Sequence, residues 1–533
     1  MLARVRSGAL VGVDAVVVEV EVDMSMGMPF FNVVGLPEGA VRESKVRVMS
    51  ALKNCGFALP QKRVTVNLAP ADLKKEGATF ELPIALGVLA AAELLPQAAL
   101  TPWLFGGELS LDGTLKPIRG VLALALAARD GGFRGVLVPA ANAAEAALVD
   151  KIEVIPVETV LQAMLHLSEQ EPLPPWDRLA RRRSVPAEAR PVDMRDVRGQ
   201  SELKCALEVA AAGGHNVLMS GPPGSGKTML ARRLPGILPA MTFQEALEVT
   251  KVYSVLGLLQ EGEGLVRDRP FRSPHHTISD AGLVGGGPQT RPGELSMAHR
   301  GVLFLDELPE FRRNVLEVLR QPLEEGVIRL ARATQHVTYQ CNVMLVAAMN
   351  PCPCGYYRVA NRTCACTSTK VAEYHARVSG PLLDRLDITL QTRTVDVEAI
   401  VRFDLEEKPS EWYRDRVEAA RDRQRHRFQH ERGVYCNAQM EPQLLARFCQ
   451  VTEVARRQLK RSIDLFGLSA RAHDRILRVA RTRADLLGHE RIEDADVAFA
   501  IGCRVLDRRD WLGGSSAQAD RGAMAASSSP PEQ

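Results

Sequence analysis

The chain has no apolar run approaching the ~20 residues that a membrane-spanning helix requires, so no membrane association is expected. Its opening Met1-Leu-Ala-Arg-Val-Arg6 does not continue as a secretory signal, because Asp14, Glu19 and Glu21 interrupt the apolar stretch and no cleavage pattern follows. Cysteine is sparse. Ten in 533 residues do not make a disulfide framework, and the expectation is a cytoplasmic protein with reduced thiols. Net charge is only +3, so whole-chain charge does not announce nucleic acid and any basic surface must be local. The metal-ion-dependent adhesion pattern D-x-S-x-S is also missing. What remains is ordinary for a soluble globular chain, with 46% hydrophobic and 25% charged residues, and its length allows two to four domains.

Residues 215 to 228 carry the clearest chemistry. Val217 to Met219 reads as a short buried strand, Gly221-Pro222-Pro223-Gly224-Ser225-Gly226 as a tight turn, and Lys227-Thr228 as the start of a helix. This is the phosphate-binding loop G-x-x-x-x-G-K-[ST] in its required strand–loop–helix setting. Backbone N–H groups must turn inward on a polyphosphate, and glycine permits that approach. The helix N-terminus favours negative charge, Lys227 reaches the outer phosphates, and the Thr228 hydroxyl serves Mg²⁺. ATP with Mg²⁺ is the expected ligand pair.

About eighty residues on, Val302-Leu-Phe-Leu-Asp-Glu307 reads as a buried strand ending in two acids. At that edge Asp306 can hold Mg²⁺ and Glu307 can polarise an attacking water. Met344-Leu-Val-Ala-Ala-Met-Asn350 is a third buried strand, and its place in the order suits Asn350 as a sensor of the γ-phosphate. Pro381-Leu-Leu-Asp-Arg-Leu-Asp387 puts Arg385 on a helix end. It can act as a finger in a neighbouring subunit's site or form a surface salt bridge. Cys352, Cys354, Cys364 and Cys366 form two C-x-C pairs within fifteen residues, a set able to close a structural Zn²⁺ site. His275-His276 has no spaced third ligand and reads as loop structure. Gly326 to Tyr339 reads as a hairpin with Ala333 to Gln335 as its turn. It offers Arg329, Arg332 and His336 to DNA phosphate, or as ordinary exposed charge.

The flanks divide the chain. Residues 1–167 alternate strands (Val18 to Val22, Arg63 to Leu68) with helices (Glu38 to Asn54, Phe80 to Leu95) as a complete α+β domain. Residues 168–191 hold five prolines and Arg181-Arg-Arg183, an extended linker with solvated charge. Residues 192–395 form a P-loop α/β core. Residues 396–510 form a helical lid, in which Trp412 to Arg432 carries seven arginines against four acids and reads as a solvated lid helix rather than a DNA-facing one. Residues 511–533 are rich in Gly, Ser, Ala and Pro and read as a disordered tail.

Two resemblances sharpen these expectations. Lys75 to Leu86, Gly107 to Gly113 and Leu115 to Gly120 resemble the protease domain of Lon (S5-type) and the related domain of the repair ATPase RadA. Aligned by eye, the Lon serine falls on Thr79 and its lysine on Leu122. Leu122 cannot take a proton, so the resemblance implies a retained fold with lost proteolysis. Phe271 to Gly287, Arg291 to His299 and Gly301 to Phe311 resemble the ComM/YifB family, magnesium-chelatase-like AAA+ ATPases with an insert in helix 2. Pro274 to His299 matches that insert. Leu465-Phe-Gly-Leu-Ser-Ala-Arg471 resembles the sensor-2 motif, which implies that Arg471 reaches the γ-phosphate in cis. The family resemblance implies a homohexameric ring that binds single-stranded and branched DNA, drives branch migration during natural transformation, and works beside recombination proteins. The rival readings are the motor subunit of a metal chelatase and an ATP-switched regulatory assembly.

Overall fold

The computed structural model describes the chain except for residues 37–38, 59, 61, 76, 178–191, 261, 263, 288–289, 333–334, 360–361, 393–406, 432 and 505–533. Most of the linker expected over 168–191, including its arginine triplet, and the tail expected over 511–533 lie outside the described residues.

Among the described residues the N-terminal region builds two larger sheets and the short antiparallel ribbon Glu108–Leu109 with Leu115–Lys116. A four-stranded sheet orders Leu2–Val11, Asp14–Ser25, Arg63–Ala69 and Phe30–Val34, with only the last pair parallel. A three-stranded parallel sheet joins Trp103–Phe105, Gly135–Pro139 and Glu153–Val157. The alternation of Asp14–Ser25 buries Val18, Val20 and Val22 and turns their acidic neighbours outward, as a strand solvated on one face requires. Helix Glu81–Ala91 is buried at every position, which accounts for its apolar sequence after Glu81, and Glu81 itself is paired with Arg47. The other expected helix runs Gly39–Asn54.

The central region is a five-stranded parallel sheet in the order Phe271–Arg272, Val302–Leu305, Met344–Met349, Val217–Ser220, Ile388–Gln391. Numbered along the chain, that order is 2-3-4-1-5. The first strand is interior, and the three strands Val217–Ser220, Val302–Leu305 and Met344–Met349 are fully buried. The loops after them meet at one carboxyl edge, where ligands bind in open α/β sheets. Between the second and third strands lies the insert, made of helix Asp280–Val284, the two-residue ribbon Gly285–Gly286 with Arg291–Pro292, and helix Glu294–Met297. The hairpin pairs Val327–Arg332 with Gln335–Gln340. Gln335, expected in the turn, instead begins the second strand, because the register still pairs it with Arg332; residues 333–334 lie outside the described residues.

Beyond the last strand, the described residues form the α-helices Ser410–Arg427, Pro442–Phe448, Glu453–Phe466, Ala470–Leu487 and Asp494–Gly502. They share one hydrophobic core with the central sheet, running from Val217 and Leu230 through Val417 to Ile476 and Val497. Five of the six arginines of helix Ser410–Arg427 bond to other elements, while Arg425 pairs with exposed Asp422 on the helix itself. Arg414 donates to Gly236 O, Arg416 to Glu208, Arg421 to Ala211 O, Arg423 to Asp485 O and Arg427 to Asp485. This helix is a structural strut.

The N-terminal region docks on helix Phe243–Leu256. Gly120 N donates to Ser254 O at 3.1 Å, Ser254 Oγ donates to the buried Glu145 carboxylate, and Lys251 pairs with Asp14. Val11 and Val13 pack on the same core as the hairpin's Ile328, Val337 and Tyr339.

Candidate nucleotide site

The first parallel strand delivers the loop 221–226 to the start of helix Lys227–Ile237. Gly221 N donates to Met349 O at 3.1 Å, and a Cβ at Gly221 would lie 1.8 Å from Thr392 Oγ1. Only glycine fits there. Gly224 and Gly226 hold φ of +77° and +80°, the left-handed region that side chains disfavour. Gly226 caps the helix with no side-chain hydrogen bond, so the first turn's N–H groups carry the positive end of the dipole without a resident capping acid.

Lys227 is buried, and its Nζ donates to Gly221 O at 2.7 Å and Pro222 O at 2.9 Å, with Ser225 Oγ at 3.4 Å and Asn350 Oδ1 at 3.5 Å. Burial pulls its pKa below the ordinary lysine value, and Asp306 opposes that pull. A lysine so placed meets a phosphate with little water to displace. Thr228 Oγ1 donates to Asp306 Oδ2 at 2.7 Å, and Glu307 N donates to Asp306 Oδ1 at 3.0 Å. The hydroxyl and carboxylate expected to share Mg²⁺ are therefore already adjacent. Glu307 sits at φ +52° and is exposed, a left-handed residue that lifts its carboxylate out of the line of the strand. Lys227, Thr228, Asp306, Glu307 and Asn350 thus converge from three strand ends.

The two arginines lie elsewhere in the described chain. Arg385 donates to Pro381 O at 2.9 Å and to Glu324 at 2.5 Å, and its Nε is buried without a partner. Arg471 opens helix Ala470–Leu487 and reaches Asp384 at 3.2 Å. Both meet at the corner formed by residues 384–385, and neither contacts the phosphate loop within this subunit. Two neighbours of the loop, Thr392 and Gln200, were not visible in the sequence, and His276, expected only as loop structure, lies beside Glu307 with its Nδ1 at 3.6 Å. Thr392 Oγ1 bonds Ser225 Oγ at 2.8 Å, and Gln200 donates to Ser225 O at 3.2 Å. Thr392 and Gln200 belong to no motif, and only the fold brings them in.

The four cysteines gather behind Asn350. Their sulfur atoms all lie within 4.8 Å of one another, with Cys352–Cys354 at 3.3 Å, Cys352–Cys364 at 3.7 Å and Cys354–Cys364 at 3.6 Å. A tetrahedral ion with metal–sulfur bonds of about 2.3 Å has edges of about 3.8 Å. Tyr357 N and Cys366 N point at Cys352 and Cys364 sulfur, the kind of outer support that holds thiolate ligands.

In the N-terminal region Leu122 is fully buried, and its N–H donates to Glu145 at 2.8 Å. The position that the Lon resemblance aligns with a lysine is thus held by hydrocarbon.

Comparison with known proteins places these features together. The model described as magnesium chelatase, subunit ChlI, matches residues 193–400, that for subunit ChlI of Mg-chelatase matches 20–142, and that for the ChlI C-terminal part matches 407–504. The competence protein ComM of Haemophilus influenzae is 42% identical over 511 residues, covering 95% of this chain and 98% of its own. The chain belongs to the ComM/YifB family. YifB of Escherichia coli is 40% identical over 509 residues, covering 95% of this chain and 98% of its own. An archaeal Lon protease of Methanothermobacter thermautotrophicus is 30% identical over 137 residues, which are 24% of this chain and 20% of the protease. Membership makes the chain a magnesium-chelatase-like AAA+ protein, consistent with ATPase activity using ATP and Mg²⁺. Among the described residues no helix is long and apolar enough to cross a membrane.

Proposed function

We propose that this protein is an ATP-hydrolysing DNA motor that assembles as a homohexameric ring, grips single-stranded or branched DNA, and drives branch migration during recombination of incoming DNA. The observation that carries this reading is the convergence of Lys227, the Thr228–Asp306 pair, Glu307 and Asn350 in a chain similar over nearly its full length to a competence protein. Lys227 and the loop N–H groups bind the phosphates, Thr228 and Asp306 hold Mg²⁺, and Glu307 orients water while Asn350 reads the γ-phosphate. Arg385 serves as a finger toward the next subunit, for which it must leave Glu324. Arg471 acts in cis after releasing Asp384. Arg329 and His336, both exposed on the hairpin, meet the DNA backbone. Arg329 now pairs with Glu325, a contact that phosphate would replace. The cysteine cluster holds a structural Zn²⁺, and the Lon-like region is a proteolytically silent docking domain.

The test is strand exchange on a labelled three-stranded branched DNA with ATP, using Lys227→Ala as control. Exchange by the parent alone supports the motor. Robust ATP turnover with neither exchange nor DNA stimulation favours the second reading, a chelatase-type motor subunit, which the ChlI family models support and the missing D-x-S-x-S pattern opposes.

A further inference from the structure

The cysteine cluster is built onto the nucleotide loop rather than onto a distant surface. It begins two residues after Asn350, whose Oδ1 faces Lys227 Nζ at 3.5 Å. Pro351 O, between them, accepts from His375 Nε2 at 2.9 Å. Within the cluster Gly355 turns at φ +85°, with its N–H donated to Cys352 O at 2.9 Å. That turn presses on the phosphate loop itself, since a Cβ at Gly355 would lie 2.6 Å from Pro223 Cδ and 2.8 Å from Cγ. Pro223 directly precedes Gly224, so the backbone that must present its N–H groups to phosphate is backed by the cysteine loop. The sulfur cage thus has two short routes into the site, covalently through Asn350 and by contact through Pro223.

We infer that metal binding by Cys352, Cys354, Cys364 and Cys366 and nucleotide binding by the 221–228 loop are thermodynamically coupled, the metal-held turn at Gly355 setting the loop's phosphate-binding shape. This rests on the reading of the cluster as a zinc site. A loop of fifteen residues with no core of its own keeps one shape only when its thiolates are tied together, and a loose turn at Gly355 leaves Pro223 unsupported. Such coupling is reciprocal: whatever factor metal adds to nucleotide affinity, nucleotide adds to metal affinity.

The experiment uses the intact protein. Zinc content per chain is measured first, and then Zn²⁺ affinity by equilibrium competition against a chromogenic chelator, with and without Mg²⁺ and a non-hydrolysable ATP analogue. The expected result is about one zinc per chain, held about tenfold more tightly with nucleotide, within the usual range of coupling between sites. In Lys227→Ala, which cannot bind the analogue, the nucleotide effect vanishes. In Gly355→Ala, where the added methyl displaces Pro223, zinc is retained and the factor falls toward one. Protein that neither carries nor takes up zinc overturns the zinc reading. Zinc bound equally tightly with and without nucleotide overturns the coupling alone, and so does a Gly355→Ala variant that keeps the parent's factor.

Discussion

Two buried positions in this chain invite comparison, Lys227 in the phosphate loop and Leu122 in the Lon-like region. Both lie near the start of a helix beside a parallel sheet and both are buried, with Lys227 at 8% and Leu122 at 0% exposure. Around Lys227 stand two backbone carbonyls, a hydroxyl and an amide oxygen, all within 3.5 Å. Leu122 packs instead among Leu104, Val121, Leu124 and Val136. A buried ammonium persists only where such acceptors replace water. The fold of each region is held by apolar burial that many sequences supply, while its chemistry hangs on one polar side chain and the acceptors around it. The second position has also been put to another use. The Leu122 N–H holds Glu145, and Glu145 receives Ser254 from the ATPase core. The Leu122 position is here part of a seat for helix Phe243–Leu256.

The comparison can be broken at its strongest point. Glu307→Gln keeps size and hydrogen bonding but removes the carboxylate that polarises water. ATP turnover is expected to fall about 10²–10⁴-fold while binding of a fluorescent ATP analogue stays near that of the parent. Turnover that survives the change would remove Glu307 from its assigned role. Next in size is Leu122→Lys, which puts a lysine where Lon has one but without the acceptors that Lys227 enjoys. The expected cost is on the order of several kcal/mol, read as a lower denaturation midpoint, with no cleavage of an unfolded protein substrate. A stable variant that cleaves would show the region to be one residue from activity.

Most of the site was legible beforehand because its signals are local. The glycines, Lys227 and Thr228 sit in one loop, and Asp306, Glu307 and Asn350 each end an apolar strand, so adjacency in space follows from parallel strands with a common carboxyl edge. The mixed α/β class followed from the order of strands and helices, whereas the Lon-like and AAA+ detail rested on resemblance. The helix-end placements of Arg385 and Arg471 were legible, but their partners Glu324 and Asp384 were not, because these come from other elements and carry no pattern. The arginines of helix Ser410–Arg427 look alike in sequence, and only packing shows that Arg416 and Arg427 answer the buried acids Glu208 and Asp485. Gly355 and Pro223 are each unremarkable turn residues until the fold presses one upon the other.

A finer break concerns the seat itself. Burial pushes the Glu145 carboxyl above the ordinary glutamate range, against the lowering effect of its bonds from Ser254, Leu122 and Asn142. The folded pKa is therefore higher than the unfolded one. The group's contribution is complete below the unfolded value and is lost as pH rises from there through the folded value. Glu145→Gln keeps the acceptor oxygen and cannot ionise, so unfolding midpoints of parent and variant should diverge as pH rises above the ordinary glutamate range, with the variant losing less stability. Parallel curves would mean that Glu145 does not titrate on unfolding.

The smallest expected effect belongs to Thr79, the residue at the position of the Lon nucleophile. Without a base at 122 its hydroxyl has no route to activation, and its side chain is only partly buried beside Gly106. Thr79→Ala should leave ATP turnover, branch migration and the unfolding midpoint within about 0.5 kcal/mol of the parent, as for substitutions that empty no cavity and orphan no buried group. The measurement bears on more than one hydroxyl. A silent Thr79 beside an indispensable Lys227 would show that the chain keeps the two regions for different reasons, one for its reaction and the other for the surface it gives helix Phe243–Leu256. A large loss of branch migration with normal ATP turnover would instead place Thr79 on the path between that surface and DNA.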